Sequence, residues 1–301
     1  MAREITNYDA EYARRAAEYA SEEQLTGGQF ITTRGGKLAF GEDEMPGNQI
    51  VVVILDSVFE NTYYEGRFDP DNSQPPKCYA FARGDEKDEM GPHPSMQADQ
   101  YFEPQNRDCA TCPMNEWGSA DQGRGKACQN RRRLAMIPAG YYTKKRGSRD
   151  FELELFEDDK HYKTAEIAFL KLPVMSVKEY SKYVTQLSAS LQKPPFGVVT
   201  RIWCEPDSKS QYRIRFEMIE ELPAELSPII FARNDEARAS IITPYSPPRE
   251  DDRRDRGRGG RGRDDRRGRD RDDDRRSERR HDERSDARDD RDRGRRDDRR
   301  R

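Results

Sequence analysis

The chain has 301 residues, of which 38% are charged, and its mean hydropathy is -1.18. This composition is too polar for a chain that folds along its whole length, and no run approaches the roughly 20 apolar residues of a membrane span. The net charge of -3 hides a basic C-terminal segment, residues 249–301, which holds 24 Arg against 19 acidic residues.

The N-terminal segment, residues 1–26, is predicted to form a helix. Residues 7–24 are rich in Ala and place tyrosines at intervals of about one helical turn, and two glycines end the pattern. The segment has no apolar stretch and therefore does not look like a signal peptide. We expect a cytoplasmic protein whose thiols stay reduced.

Residues 27–248 are predicted to form one α+β domain, built mainly of antiparallel strands that close into a barrel-like sheet. The most apolar run of the chain, QIVVVILDSVF at residues 49–59, has the β-branched content of a central strand. Other strands are predicted over residues 77–83, 134–137, 151–156 and 166–172, with hairpins over residues 30–40 and 196–219.

Two further helices are predicted in this domain. The clearer one covers residues 176–191, where Ser176 and Glu179 have the spacing of a capping box. The second begins at Ser227 and Pro228, a cap residue followed by a residue suited to a first turn.

Three of the five cysteines fall in the segment CATCPMNEWGSADQGRGKAC. Cys109 and Cys112 have the spacing of a zinc knuckle, and the fifteen residues that separate Cys112 from Cys128 are typical of a zinc site. The fourth ligand is predicted to be Cys78, with His93 as the rival. The pattern predicts a structural zinc in an insertion at about residues 78–133. Cys204 lies in an apolar strand and is expected to be a buried residue.

The basic segment, residues 122–149, contains no acidic residue. Tyr141 and Tyr142 lie within it, and Trp117 lies just upstream. Cations that follow phosphates, mixed with rings on which bases stack, are typical of single-strand binding. On the polar face of a later strand, Arg213 and Arg215 would extend this surface. The cations of the basic segment are Arg124, Lys126, Arg131, Arg132, Arg133, Lys144, Lys145, Arg146 and Arg149.

An enzymatic function is not expected. The chain has three His, one of them in the tail, which leaves little material for a His-based triad or a metal hydrolase. The loop GSADQGRGKA departs from a phosphate-binding loop, because Arg124 replaces the lysine and Ala127 replaces the hydroxyl residue.

Several stretches of residues 25–220 together resemble tailed-phage single-stranded DNA-binding proteins. The resemblance implies an oligonucleotide-binding (OB-like) barrel with a zinc insertion held by four cysteines: Cys78, Cys109, Cys112 and Cys128. It also implies sequence-independent binding of single-stranded DNA in phage replication, recombination or repair, within the host cytoplasm. The stretches are PPKCYAF, CATCPMNEWGS, GRGKAC followed by RRRLAMIP, KEYSKYV and PPFGVVTRI.

The tail, residues 249–301, mixes Arg with Asp and has no aromatic residue, so it is predicted to be disordered. Bacterial single-strand binders carry an acidic tail with an apolar tip, a pattern that this tail lacks. The expected partners are single-stranded DNA, with RNA as a second candidate, and replication or recombination proteins, but no membrane. The alternative function is a zinc-ribbon regulator or adaptor that docks on a polymerase or another replication protein. A nuclease or recombinase accessory factor is a third option.

Overall fold

A computed structural model describes residues 30–41, 43–66, 74–121, 123–148, 150–208 and 210–248, together with the single residue Arg15. Arg15 is helical. The rest of the predicted N-terminal helix, the tail and Arg149 lie outside the described residues.

The described residues form strands of 2 to 15 residues, three α-helices and several 3-10 turns. The strands are β1 Phe30–Thr32, β2 Ala39–Phe40, β3 Asp43–Glu44, β4 Gln49–Tyr63, β5 Cys78–Ala82, β6 Cys128–Pro138, β7 Gly140–Lys144, β8 Phe151–Leu155, β9 Ala168–Leu172, β10 Val198–Asp207 and β11 Gln211–Glu221. The helices are α1 Asp159–Thr164, α2 Val174–Leu191 and α3 Ser227–Ser240. None of these helices is long and apolar enough to cross a bilayer.

One curled, mostly antiparallel sheet dominates the fold, which confirms the α+β class. Its order is β11-β10-β4-β6-β9-β1-β2-β3, and only the β1–β9 pair is parallel among the described strands. On one side β4 pairs with β6 along most of its length, and on the other it pairs first with β10 and then with β5. The β7–β8 hairpin stands apart as a two-stranded sheet.

The central strand β4 is buried on both faces. Val52 and Ile54 belong to a core cluster shared with α2, whereas Val51 and Val53 belong to a second cluster shared with α3. Because neither face meets water, the strand reads as a continuous apolar run instead of an alternating one. The predicted central strand is confirmed and extends to Tyr63.

The predicted hairpins at residues 30–40 and 196–219 are also confirmed, as β1–β2 and β10–β11. The last helix starts at Ser227 as predicted. Three elements were not predicted, namely β3, β7 and α1, and β6 begins at Cys128, six residues before the predicted strand. Its early start carries three consecutive arginines into the sheet.

The predicted capping box is wrong. Helix α2 begins at Val174 with Pro173 at its N-cap, and no side chain caps it. The Ser176 side chain is instead buried and accepts a hydrogen bond of 3.0 Å from the Ile214 backbone N–H. The Glu179 carboxylate, which the box would direct to the helix end, binds an arginine on β11.

Candidate metal and nucleic-acid sites

The four predicted zinc ligands lie around one small cavity, here called the cysteine cavity. Cys78 opens β5 and Cys128 opens β6, and both pair in register with Tyr63 of the intervening strand β4. Cys109 and Cys112 come from the loop before β6, and all four residues line a cavity of about 20 Å³. His93 does not line it.

The rival ligand His93 has other contacts. Its ring stacks on Tyr79 with 5.5 Å between centroids, and its Nδ1 lies 2.8 Å from the Ser95 hydroxyl. Of the two candidates for the fourth ligand, Cys78 therefore lies with the other three cysteines and His93 does not.

Hydrogen bonds fold the loop around the cavity. The Cys109 backbone N–H donates to the Met90 carbonyl over 2.8 Å, and the Asn115 side chain donates to the Cys109 carbonyl over 2.7 Å. The Asn115 backbone N–H then closes a tight turn onto the Cys112 carbonyl over 2.9 Å. Lys126 joins this network by donating to the Asn115 side-chain oxygen over 3.1 Å.

The cavity disfavours thiolates unless a cation is present. Burial raises the pKa of Cys128 to about 12 and that of Cys109 to about 11, and the neighbouring cysteines add to both increases. Two donors act in the opposite direction: the Gln105 backbone N–H toward Cys78 and the Asn61 side chain toward Cys109. A divalent ion at this place would reverse the balance, because coordination deprotonates thiols outright.

The type of ligand suits zinc, but the side chains are not arranged around a common centre. Four cysteines are a common structural zinc set, and a cavity of about 20 Å³ holds one water-sized occupant. Among the residues that the structure describes, however, no three His, Cys, Asp or Glu side chains stand in a geometry that would hold a metal ion. Zinc binding stays a prediction, and it requires the thiols to turn toward a common centre.

The basic segment begins on the loop beside this cavity. Trp117 is 81% exposed, and the Lys126 Nζ lies 5.7 Å from the centroid of its ring. Arg124 is exposed in the same loop. These three residues form what we call the cysteine-loop surface.

The three consecutive arginines lie in β6, where Arg131 and Arg132 are partly buried and Arg133 is fully buried. Arg132 donates to the Ser57 hydroxyl over 3.0 Å and lies 4.1 Å from the centroid of Phe59. Arg131 is half-buried and donates to the Gln129 side chain. Arg133 is 1% exposed, so its interior position removes it from the predicted nucleic-acid contacts.

The rest of the basic segment lies beyond the far end of β6. Tyr141 and Tyr142 are in β7, Lys144 ends that strand, and Lys145 and Arg146 are exposed in the following turn. Because the 11 residues of β6 span roughly 35 Å, the segment divides into two surfaces instead of one. The second, here called the hairpin surface, consists of Tyr141, Tyr142, Lys144, Lys145 and Arg146.

The two arginines of β11 are ion-paired and therefore do not extend the positive charge of either surface. Arg213 pairs with Asp207 at 3.1 Å and with Glu179 at 3.4 Å. Arg215 pairs with Glu179 at 2.7 Å and with Glu205 at 2.5 Å. Three carboxylates therefore neutralise the two cations that the sequence placed on the binding face.

Sequence reasoning missed one feature, a cavity of about 440 Å³ beside the hairpin surface. We call it the sheet-end cavity. Its walls come from β1, β2, β4, β6, β7, β9 and α1 and from the segments that connect them, so no local motif marks it. No protein-family model, curated protein or solved structure matches the chain, so any function has to be inferred from this geometry.

Proposed function

We propose that the chain is a non-enzymatic protein that binds single-stranded DNA without sequence preference and is stabilised by a structural zinc. Its context would be phage DNA replication, recombination or repair, as the resemblance implies. The observation that supports this most is the exposed Trp117 beside a cation, in a loop folded around four cysteines.

An indole that is 81% exposed contributes little buried surface to the fold and leaves its ring accessible to a ligand. Every base offers a flat face to an aromatic ring, and a neighbouring cation attracts the phosphate backbone. Lys126 and Arg124 supply that charge beside Trp117. Stacking on one ring together with phosphate attraction is indifferent to base identity, which suits a protein that coats single strands.

The zinc would stabilise the loop and would take no part in a reaction. Cys78, Cys109, Cys112 and Cys128 would hold it, and four protein ligands leave no open position for a substrate. Lys126 and Cys109 share Asn115 as a hydrogen-bond partner, so the cysteine cavity and the cysteine-loop surface are physically connected. Fixing the thiols would therefore fix the orientation of the cations.

The histidines support a non-enzymatic role. His93 is engaged with Ser95 and Tyr79, as described above. The Nε2 of His161 lies 2.9 Å from the Pro138 carbonyl, and its ring stacks on Phe156 with 3.8 Å between centroids. Both described histidines thus have structural partners, and the Ser95 hydroxyl beside His93 is itself hydrogen-bonded to the Tyr79 hydroxyl over 2.6 Å.

The test is fluorescence anisotropy with labelled oligo(dT) and with a duplex of equal length, across a series of salt concentrations. We expect strong preference for the single strand and a log–log decrease of affinity with salt. Absence of binding at low salt would reject the proposal. Preference for the duplex would favour the regulator or adaptor instead.

A further inference from the structure

The sheet-end cavity has the size and walls of a ligand site. Its volume of about 440 Å³ lies within the roughly 300–1,000 Å³ typical of small-ligand pockets, whereas protein interiors rarely leave space of this kind. One part of the wall is apolar, β7 contributes Tyr141 and Tyr142, and the polar lining residues are Gln49, His161 and Glu166. The apolar wall contains Ile31, Phe40, Met45, Ile50, Val52 and Met136.

Aromatic rings stand at the cavity's exposed side. Tyr141 is 46% exposed and Phe40 is 36% exposed, and both line the cavity. The Tyr141 hydroxyl donates to the Glu154 carboxylate, which holds the ring in place. A flat, largely apolar ligand would therefore meet rings at the entrance and aliphatic side chains further inside.

The hairpin brings a cation to the same rim. Lys144 pairs in register with Phe151, and a Cβ built on Gly47 would come within 2.8 Å of the Phe151 ring. Gly47 follows Pro46, which lines the cavity. Lys144 therefore lies opposite Phe151, whose ring is packed against Gly47 next to the cavity wall.

Strand alternation separates charges of opposite sign on this hairpin. Residues directly opposite each other share a face, so Tyr142 and Lys144 lie on the face of Leu153 and Phe151. Leu153 packs into the core on that face. The carboxylates of Glu152 and Glu154 belong to the opposite face. Tyr141, which lines the cavity, shares the face of Glu152 and Glu154 and is bonded to Glu154, so the hairpin presents a carboxylate beside the cavity on one face and Lys144 on the other.

We propose that the sheet-end cavity takes an unstacked base of the single strand, while Lys144, Lys145 and Arg146 hold the adjoining phosphates. This inference rests on the proposed function and adds a second contact, at the opposite end of β6 from Trp117. A base in a duplex enters only after it is unpaired and unstacked, at an expense of a few kcal/mol. The cavity is therefore a second physical source of single-strand preference beside stacking on Trp117.

The first experiment locates the bases by photo-crosslinking the full chain to oligo(dT) that contains one 5-iodouracil. We expect cross-linked peptides that contain Phe40, Tyr141 or Tyr142, identified by mass spectrometry, beside those that contain Trp117. Cross-links confined to Trp117 would overturn the inference and leave the proposed function intact.

The second experiment measures the salt dependence of oligo(dT) binding for the double variant Lys144→Gln, Lys145→Gln. Loss of two phosphate contacts should reduce the log–log slope by about 1.4. The matched control is Lys178→Gln, an exposed lysine on α2, which should leave the slope unchanged. Equal slopes for the wild type and the double variant would overturn the inference.

A third measurement separates a strand from a free nucleotide. Thymidine monophosphate should compete with oligo(dT) only at concentrations far above those of the oligonucleotide, because it lacks the contact at Trp117. Competition at equal concentration would identify a mononucleotide site and overturn the strand-based inference. A wild-type chain that binds no oligo(dT) would reject the proposed function itself, which is a different outcome from all of these.

Discussion

The Arg133 guanidinium donates to the Glu60 carboxylate over 2.5 Å, and the two side chains are 1% and 0% exposed. The same guanidinium donates to the Ile241 carbonyl over 2.9 Å, and the Tyr245 hydroxyl donates to Glu60. One buried ion pair thus joins the two central strands to the chain that follows α3. An arginine that the sequence assigned to a ligand surface is a structural residue.

Replacing Arg133 by Met should lower the free energy of unfolding by about 3–5 kcal/mol, because Glu60 would be left buried without its main partner. Urea denaturation at neutral pH measures this. Glu60→Gln alone should also destabilise, and the double variant should lose less than the sum of the two single losses. Strict additivity would show that the two groups do not interact.

Lys171 should make stability depend on pH in the alkaline range. Burial lowers its pKa to about 8 from the ordinary 10.5; the Glu60 charge opposes this shift, and Arg133 and Arg131 add to it. Between these two values the unfolded chain binds more protons than the folded one, so stability should rise with pH. Buried cysteines have the opposite effect, because their folded pKa values are raised.

The comparison of wild type with Lys171→Met isolates this contribution, since the cysteines are common to both. Denaturation from pH 7.5 to 10 should show the wild type gaining stability relative to the variant. Absence of a relative gain would mean that the folded chain keeps Lys171 protonated in this range.

The purified chain should contain about one zinc ion, and the double variant Cys109→Ser, Cys112→Ser should contain none. Elemental analysis by mass spectrometry gives the metal content. The matched control is Cys204→Ser, because Cys204 is a free cysteine, buried like Cys112, but lies in β10 and does not line the cysteine cavity. A stably folded wild type without metal would contradict the zinc assignment.

Trp117→Ala should weaken oligo(dT) binding by about 1–3 kcal/mol, the contribution of one stacked base. The free energy of unfolding should hardly change, because the indole is 81% exposed. Trp117→Phe keeps a stacking face and should recover most of the affinity. Unchanged affinity in the alanine variant would remove the principal support for the proposed function.

The sequence predicts well those elements whose burial is reflected in a local pattern of apolar residues. The run in β4 is apolar because both its faces are covered, and the β10–β11 hairpin alternates because its faces differ. The strand β7 escaped prediction because GYYTK is short and polar at its end. The pairing with β8 stabilises it as a strand, which its own composition does not indicate.

Contacts between distant residues explain the errors. Nothing near Arg133 in the sequence indicates Glu60, which lies 73 positions earlier. Likewise, Ser176 and Glu179 match a capping box, but β11 uses both side chains, which outweighs the local motif. The four cysteines line one cavity because β5 and β6 place Cys78 and Cys128 on either side of Tyr63, and the loop before β6 brings Cys109 and Cys112 to them.

The pairing of β4 with a strand far along the sequence has a consequence for folding during synthesis. Its first residues pair with β10, and Gln49 reaches its partner Arg201 across 152 positions of sequence. During synthesis from the N-terminus, QIVVVIL therefore leaves the ribosome long before the strand that covers its edge. Apolar β-prone segments exposed in this way are aggregation hazards. Expression at low temperature or with a holdase chaperone should raise the soluble yield, and truncation before β10 should send the chain into inclusion bodies.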